Sequence, residues 1–340
     1  MSVPESDSAH CLEARGLSVR YPVRSGAFLK RRVGEVRAVE DVSLQIPRGE
    51  TLGLVGESGC GKTTLGRALL RLVQPTAGQV LLNGVDLTAT DRRALRGMRR
   101  QAQIVFQDPY GALDPRQSAG DIVGEPLRVH RLYAGEADYR RKVSALLETV
   151  GLDTSAASRY PHEFSGGQRQ RLGIARALAV GPDLIVLDEP VSALDVSIQA
   201  QIINLLETIQ RGRGLAYLFI AHDLSVVRHI SHRVAVMYAG RIVETAAADE
   251  IYENPSHPYT QALLSSVPST DPLQESSRQS APLQGEAVDL TDLPAGCAFH
   301  PRCPVAAQQC SLVTPELQET RPAHWVACIR APGYQQKPDA

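Results

Sequence analysis

Short, unbroken apolar runs alternate with stretches of helical period along most of this chain. "TLGLV" (Thr51–Val55), "LIVL" (Leu184–Leu187) and "LAYLFIA" (Leu215–Ala221) contain almost no polar positions. Continuous apolar runs of this length mark strands covered on both faces, as in parallel sheets. "VSIQAQIINLLETIQ" carries helical period, and residues 91–179 are mostly helix-compatible, broken by Pro and Gly. "GQVLLNGVDL" reads as a hairpin turning at Asn83-Gly84, and Leu12–Pro47 as strands with a basic interruption, "RSGAFLKRRVGEVR". The pattern predicts an α/β core with a helical insertion. From Asn254 the texture turns rich in Pro, Ser and Gln. There it predicts a short helix, Tyr259–Val267, a linker, and a tail holding four of the six cysteines.

Charge and composition narrow the classes. A formal net charge of -1 over 340 residues supplies no field for nucleic acid. No run approaches the roughly 18 apolar residues that span a bilayer. The start, "MSVPESDSAH", is polar and acidic and lacks the pattern of a secretory signal. The expectation is a protein that stays in the cytoplasm with reduced thiols. Positive charge is almost all arginine, so Lys62 stands out among only four lysines.

"GESGCGKT", Gly56 to Thr63, fits G-x-x-x-x-G-K-S/T and lies between an apolar strand and a helix. Glycines let successive backbone N–H groups face a phosphate. Lys62 brings a point charge to the β/γ oxygens, and Thr63 offers a hydroxyl to Mg²⁺. The nucleotide-binding set is therefore Gly56, Glu57, Ser58, Gly59, Cys60, Gly61, Lys62, Thr63 and Thr64. In "LIVLDEP", Asp188 ends a buried strand, where a carboxylate points into a ligand crevice. Asp188 would hold Mg²⁺ and Glu189 would polarise the attacking water. Without the upstream loop, an Asp-Glu pair would be an ordinary solvated strand end.

"FSGGQRQR", Phe164 to Arg171, starts a helix on turn chemistry and makes a second anion site. Followed by "LIVLDEP", it resembles the signature motif and Walker B of an ABC-type ATPase. In that family the signature of one subunit caps the nucleotide held by the phosphate loop of another. The resemblance thus explains two anion sites in one chain: they serve different ATP molecules. It implies that Ser165, Gly166, Gly167 and Gln168 face a γ-phosphate across an interface. It further implies that Gln107 in "IVFQDP" touches Mg²⁺ or the lytic water, that Asp195 in "SALD" contacts the opposite subunit, and that His222 in "FIAHD" bonds the γ-phosphate. Tyr21 in "LSVRYP" falls where the family stacks an aromatic on adenine; a packing tyrosine on a strand fits equally. The implied fold is a P-loop NTPase nucleotide-binding domain with a RecA-like core, an antiparallel β subdomain and a helical subdomain (about 91–179). It would span residues 1–250, with a cysteine-containing extension over 251–340.

"NPSHPYTQALLSSVP", "GCAFHPRCP" and "QDPYGALDPR" are similar to the dipeptide/oligopeptide importer ATPases, in particular their second ATPase subunit. That resemblance implies ATP hydrolysis driving import of peptides. Its partners would be a homologous ATPase chain, two permeases and an extracytoplasmic solute-binding protein, with this chain peripheral on the cytoplasmic face of the membrane. Nickel and glutathione importers share much of the pattern, and a soluble ABC protein of translation or DNA repair is the alternative from another class. Cys297, Cys303, Cys310 and Cys328 run C-x5-C-x6-C-x17-C, wider than structural zinc usually shows. Unligated thiols and an iron–sulfur cluster both remain open on spacing; the resemblance implies a 4Fe–4S cluster. His300 and His324 lie near enough in sequence to replace a ligand.

Overall fold

The computed structural model describes residues 10–25, 31–266 and 288–335. The strands and helices run β1 (His10–Ser25), β2 (Arg31–Pro47), β3 (Thr51–Val55), α1 (Lys62–Leu69), β4 (Ala77–Leu82), β5 (Val85–Asp86), α2 (Arg92–Met98) and β6 (Ala102–Val105). Then come α3 (Pro109–Ala112), α4 (Ala119–Val129), α5 (Glu136–Thr149), α6 (Gly166–Leu178), β7 (Leu184–Asp188), α7 (Val196–Arg213) and β8 (Ala216–Ile220). The remainder is α8 (Leu224–Ile230), β9 (Arg233–Tyr238), β10 (Arg241–Ala247), α9 (Ala248–Glu253), α10 (Pro258–Ser265), β11 (Gln318–Arg321) and β12 (His324–Val326).

The chain divides into two compact units. One comprises Leu81–Ile220 with Gln45–Thr51 and the chain up to Glu13; the other comprises Ala14–Leu44, Leu52–Val80 and everything from Ala221 on.

In the first unit β6, β7 and β8 lie side by side in the order β8-β7-β6, all parallel, with Ile104 opposite Val186 and Val186 opposite Leu218. Every residue of β7 and β8 is buried, as their apolar runs require. Tyr217 on β8 donates its hydroxyl to the Leu206 carbonyl of α7, satisfying a polar atom in that core. The helices α4, α5 and α6 contact one another, and Ile122, Val123, Leu147, Leu172 and Leu178 on them are buried. Leu81 and Leu82 pair with β5 across the Asn83-Gly84 turn. Both turn residues have positive φ, 50° and 78°, the left-handed pair that a two-residue hairpin needs. Strand β6 corrects the expected helical stretch: residues 91–179 are not an uninterrupted insertion, because Ala102–Val105 pair with β7.

In the second unit the order is β11-β12-β10-β9-β3, with β3 and β9 parallel and the rest antiparallel. Strands β1, β2 and β4 form a further layer in the order β2-β1-β4. The predicted helix near Tyr259 is α10, Pro258–Ser265; Val267, the linker that follows and part of the basic interruption fall outside the described residues. The tail brings two unexpected strands. β12 pairs with β10 (Glu244 opposite Val326), so the extension continues the sheet of its own unit.

Candidate functional site

The phosphate-type loop of the second unit runs from the end of β3 into α1. Three of its glycines have positive φ: Gly56 at 154°, Gly59 at 80° and Gly61 at 111°. Two also have no room for a side chain. A Cβ on Gly56 would lie 2.2 Å from the Met237 carbonyl oxygen, and one on Gly61 would lie 2.0 Å from that of Ala38. The loop is thus pressed against β9 and β2, and Gly240 N–H donates to the Cys60 carbonyl at 2.9 Å. Lys62, 5% exposed, turns its ammonium back into the loop and donates to the carbonyls of Gly56 (2.7 Å) and Glu57 (2.8 Å). The positive head is therefore fixed where the loop's N–H groups and the α1 N-terminus concentrate positive potential. Ser58 and Gly59 are exposed, and Thr63 and Thr64 are half-buried in the first turn of α1. Cys60 is buried with its Sγ 3.8 Å from Lys62 Nζ, and burial raises its thiol pKa, which disfavours the reactive thiolate. Tyr21 is 38% exposed on β1, leaving ring surface for stacking. His222 is exposed just past β8, where Asp223 caps α8 by accepting from Ser225 N–H.

The first unit brings the carboxylate side together. β7 delivers Asp188, 1% exposed, at its last position. Glu189 follows in the left-handed region at φ 48°, a conformation costly for a non-glycine residue. Gln107 Nε2 donates to Glu189 Oε2 at 2.9 Å. An oriented carboxylate at a strand end is what general-base chemistry on water requires.

The same unit holds the signature helix. Ser165 caps α6: its Oγ accepts from Gln168 N–H at 3.3 Å, and Gln168 Oε1 accepts from Ser165 N–H at 3.0 Å. This reciprocal box spends Gln168's side-chain carbonyl oxygen on the helix start. Gly167 has a second role that sequence reasoning missed, since a Cβ there would lie 2.5 Å from Ile198 Cγ2 on α7. The arginines of "QRQR" are structural. Arg169, 6% exposed, donates to the Pro161 carbonyl and stacks over Tyr110 at 3.8 Å, and Arg171 donates to the Val150 carbonyl. Asp195 is exposed and begins α7.

The family described as "ABC transporter" matches residues 39–192, and that described as "Oligopeptide/dipeptide transporter, C-terminal region" matches 243–310. The oligopeptide transport ATP-binding protein AppF of Bacillus subtilis (strain 168) is 54% identical over 318 residues, 93% of this chain and 96% of its own. The chain belongs to the ATP-binding proteins of ABC transporters. A probable peptide ABC transporter ATP-binding protein, y4tS of Sinorhizobium fredii, is 51% identical to this ABC ATPase over 94% of the chain and 90% of the relative. Its fold is shared with the dimeric ATP-binding cassette MJ0796 in a post-hydrolysis state bound to ADP and Pi, at TM-score 0.62 and 28% identity over 70% of this chain and 98% of that one. It is shared equally with cbiO1 from Clostridium perfringens, at TM-score 0.62 and 25% identity over 73% and 92%.

Past the cassette core, the ABC ATPase carries a second candidate site in the tail. Cys297, Cys303, Cys310 and Cys328 all line one small pocket, with Phe299 and His300 in its wall. Burial pushes the Cys297 thiol up to about 11, with the other three sulfurs adding to the rise, and it raises Cys303 and Cys328 as well. Among the described residues no three His, Cys, Asp or Glu side chains are arranged to hold a metal ion. The thiols share a chamber without forming a closed ligand shell. Of the two histidines expected as substitutes, His300 lines the cavity. His324 is instead buried against Glu244, Nε2 to Oε1 at 2.7 Å, and is not in the cavity wall. Among the described residues no helix is long and apolar enough to cross a membrane.

Proposed function

We propose that this chain is the ATP-hydrolysing subunit of an ABC importer whose cargo is a di- or oligopeptide. The observation that carries the reading is the union, in one chain, of a cassette core with an extension of the oligopeptide/dipeptide type. The nucleotide arrives as its magnesium complex. Lys62 and the N–H groups of Gly56–Thr64 grip its phosphates, Thr63, Asp188 and Gln107 hold the magnesium, and Tyr21 stacks on the adenine. Glu189 takes the proton of the attacking water, Gln107 steers Glu189, and His222 steadies the γ-phosphate. Ser165 and Gly166–Gly167 meet the γ-phosphate of the nucleotide held by a partner ATPase, Gln168 serves as their cap, and Asp195 touches that partner. Because the γ-phosphate adds contacts to both subunits, ATP favours the closed pair and hydrolysis reopens it.

The partner is a second, homologous ATPase chain. Two permeases carry the path through the membrane, with a solute-binding protein outside, and this chain sits on the cytoplasmic face. Nucleic acid has no part in the cycle. The extension would occupy residues 251–340, and its four thiols are the donors we assign to a 4Fe–4S cluster. The shared cavity and the soft donor set favour that assignment, while the open arrangement of the sulfurs means that they would have to draw together. When bound, such a cluster supplies a one-electron redox centre. The protonated thiols would release protons on ligation.

The test is uptake by the full complex in vesicles, with labelled peptides and nickel as competing cargoes. ATP-dependent peptide entry that is lost in Lys62→Ala supports the reading. Entry of nickel but of no peptide would refute the cargo.

A further inference from the structure

Resting on that cassette reading, we infer that Arg302 and Tyr259, both in the C-terminal extension, are positioning residues of the nucleotide site, acting through Glu57 of the phosphate loop. Three polar groups of Glu57 are committed. Its N–H donates to Tyr259 Oη at 2.8 Å. Its carboxylate takes both arms of Arg302, Nη1 to Oε2 at 2.7 Å and Nη2 to Oε1 at 2.9 Å. Its carbonyl accepts from Lys62 Nζ at 2.8 Å. Its partners Tyr259 and Arg302 lie 202 and 245 residues along the chain, and the third partner is the phosphate-loop lysine.

The contact is built to resist motion. Arg302's side chain is 7% exposed and Glu57's 25%, so the fork is largely shielded from water, and a two-armed guanidinium–carboxylate pair fixes orientation as well as distance. Behind it Tyr238, Tyr259 and Phe299 are packed ring to ring, with centroids 4.5 to 5.4 Å apart. Tyr238 Oη lies 3.5 Å from Arg302 Nη1. Tyr238 also follows Met237, whose carbonyl meets Gly56. The loop is therefore held both by β9 of the cassette and by Tyr259 and Arg302 of the tail.

Charge gives the second half of the argument. A carboxylate within a loop that grips polyphosphate repels its ligand unless a cation answers it. Arg302 answers it from the extension. Removing Arg302 leaves the acid beside the anion site and frees the loop to shift. Nucleotide affinity should fall while the hydrolytic step changes little, because Glu57 is given no part in activating water.

The experiment titrates the full chain with a fluorescent ATP analogue and measures KM and kcat for MgATP in the assembled transporter. Arg302→Ala should raise Kd and KM about tenfold, with kcat held within about twofold. Arg302→Lys, which keeps the charge without the fork, should recover part of the loss. In Glu57→Ala/Arg302→Ala the repelling acid is gone too, so binding should be tighter than in Arg302→Ala alone. Tyr259→Phe keeps the ring but loses the acceptor, and should raise Kd by about threefold. Wild-type affinity in a folded Arg302→Ala, or a double variant whose two losses simply add, overturns the inference. If Arg302→Ala does not fold, Arg302→Lys and Tyr259→Phe decide: wild-type affinity in both overturns it. A wild-type chain that bound no nucleotide would take the cassette reading down with it, whereas a binding wild type with an indifferent Arg302 removes this inference alone.

Discussion

Gln107 Nε2 and Glu189 Oε2, 82 residues apart in sequence, meet at 2.9 Å. The amide fixes one carboxylate oxygen, and with it the orientation of the group. Glu189→Gln should therefore abolish turnover by more than about a hundredfold while leaving nucleotide binding intact. Phosphate release and retention of labelled ATP on the protein would measure the two separately. Normal steady-state hydrolysis by that variant would remove Glu189 from its role.

Gly167 matters by volume as well as by its N–H. With Ile198 Cγ2 2.5 Å from where a Cβ would stand, Gly167→Ala should cost about 1–3 kcal/mol of stability through overpacking. Trimming the neighbour in Gly167→Ala/Ile198→Ala should restore much of it. Denaturant unfolding reads both, and an unrelieved loss in the double variant would place the strain elsewhere.

The extension should be labile to acid. Burial drives His257 down to about 4 from an ordinary value of 6.5, against the pull of the Glu244 carboxylate. It is neutral when folded, and its Nδ1 accepts from Tyr259 N–H at 3.0 Å at the start of α10. A depressed histidine favours the fold above 6.5 and opposes it increasingly as pH falls toward 4, by a limit on the order of 3 kcal/mol. Burial alone would raise Glu244. The hydrogen bond from His324 and the N–H groups of Ser256 and His257 outweigh it, so its carboxyl lies below the usual range and its own support is lost at still lower pH. Unfolding free energy between pH 7 and 4 should slope less in His257→Gln than in wild type; equal slopes would exonerate the histidine.

The tail thiols should be quiet toward alkylation at neutral pH, since burial keeps Cys297, Cys303 and Cys328 protonated. Protein purified without oxygen should contain iron and sulfide, and Cys→Ser changes at any of the four positions should reduce both. Stoichiometric zinc, or no metal at all, would reject the cluster.

What the sequence disclosed was local. The glycine loop, "LIVLDEP" and the Asn83-Gly84 turn each pack their signal into a few adjacent residues, and each sits where its spacing predicted. β6 stayed hidden because "AQIV" is too short to interrupt a helix-compatible stretch by itself. β11, "QETR", has no apolar face, and with β12 it is a strand only because β10 offers an edge. His324 was grouped with the thiols by nearness in sequence, yet its partner is Glu244, 80 residues back. The phosphate-loop contacts of Arg302 and Tyr259 are equally long in range, and no periodicity announces them.

The pairing of β12 with β10 and the grip of Arg302 on Glu57 both tie residues beyond 250 to residues before it. A chain cut there would lose β11 and β12 and the side-chain partners of Glu57 at once. Exchanging tails between relatives should preserve the loop only when the acid and its arginine travel together.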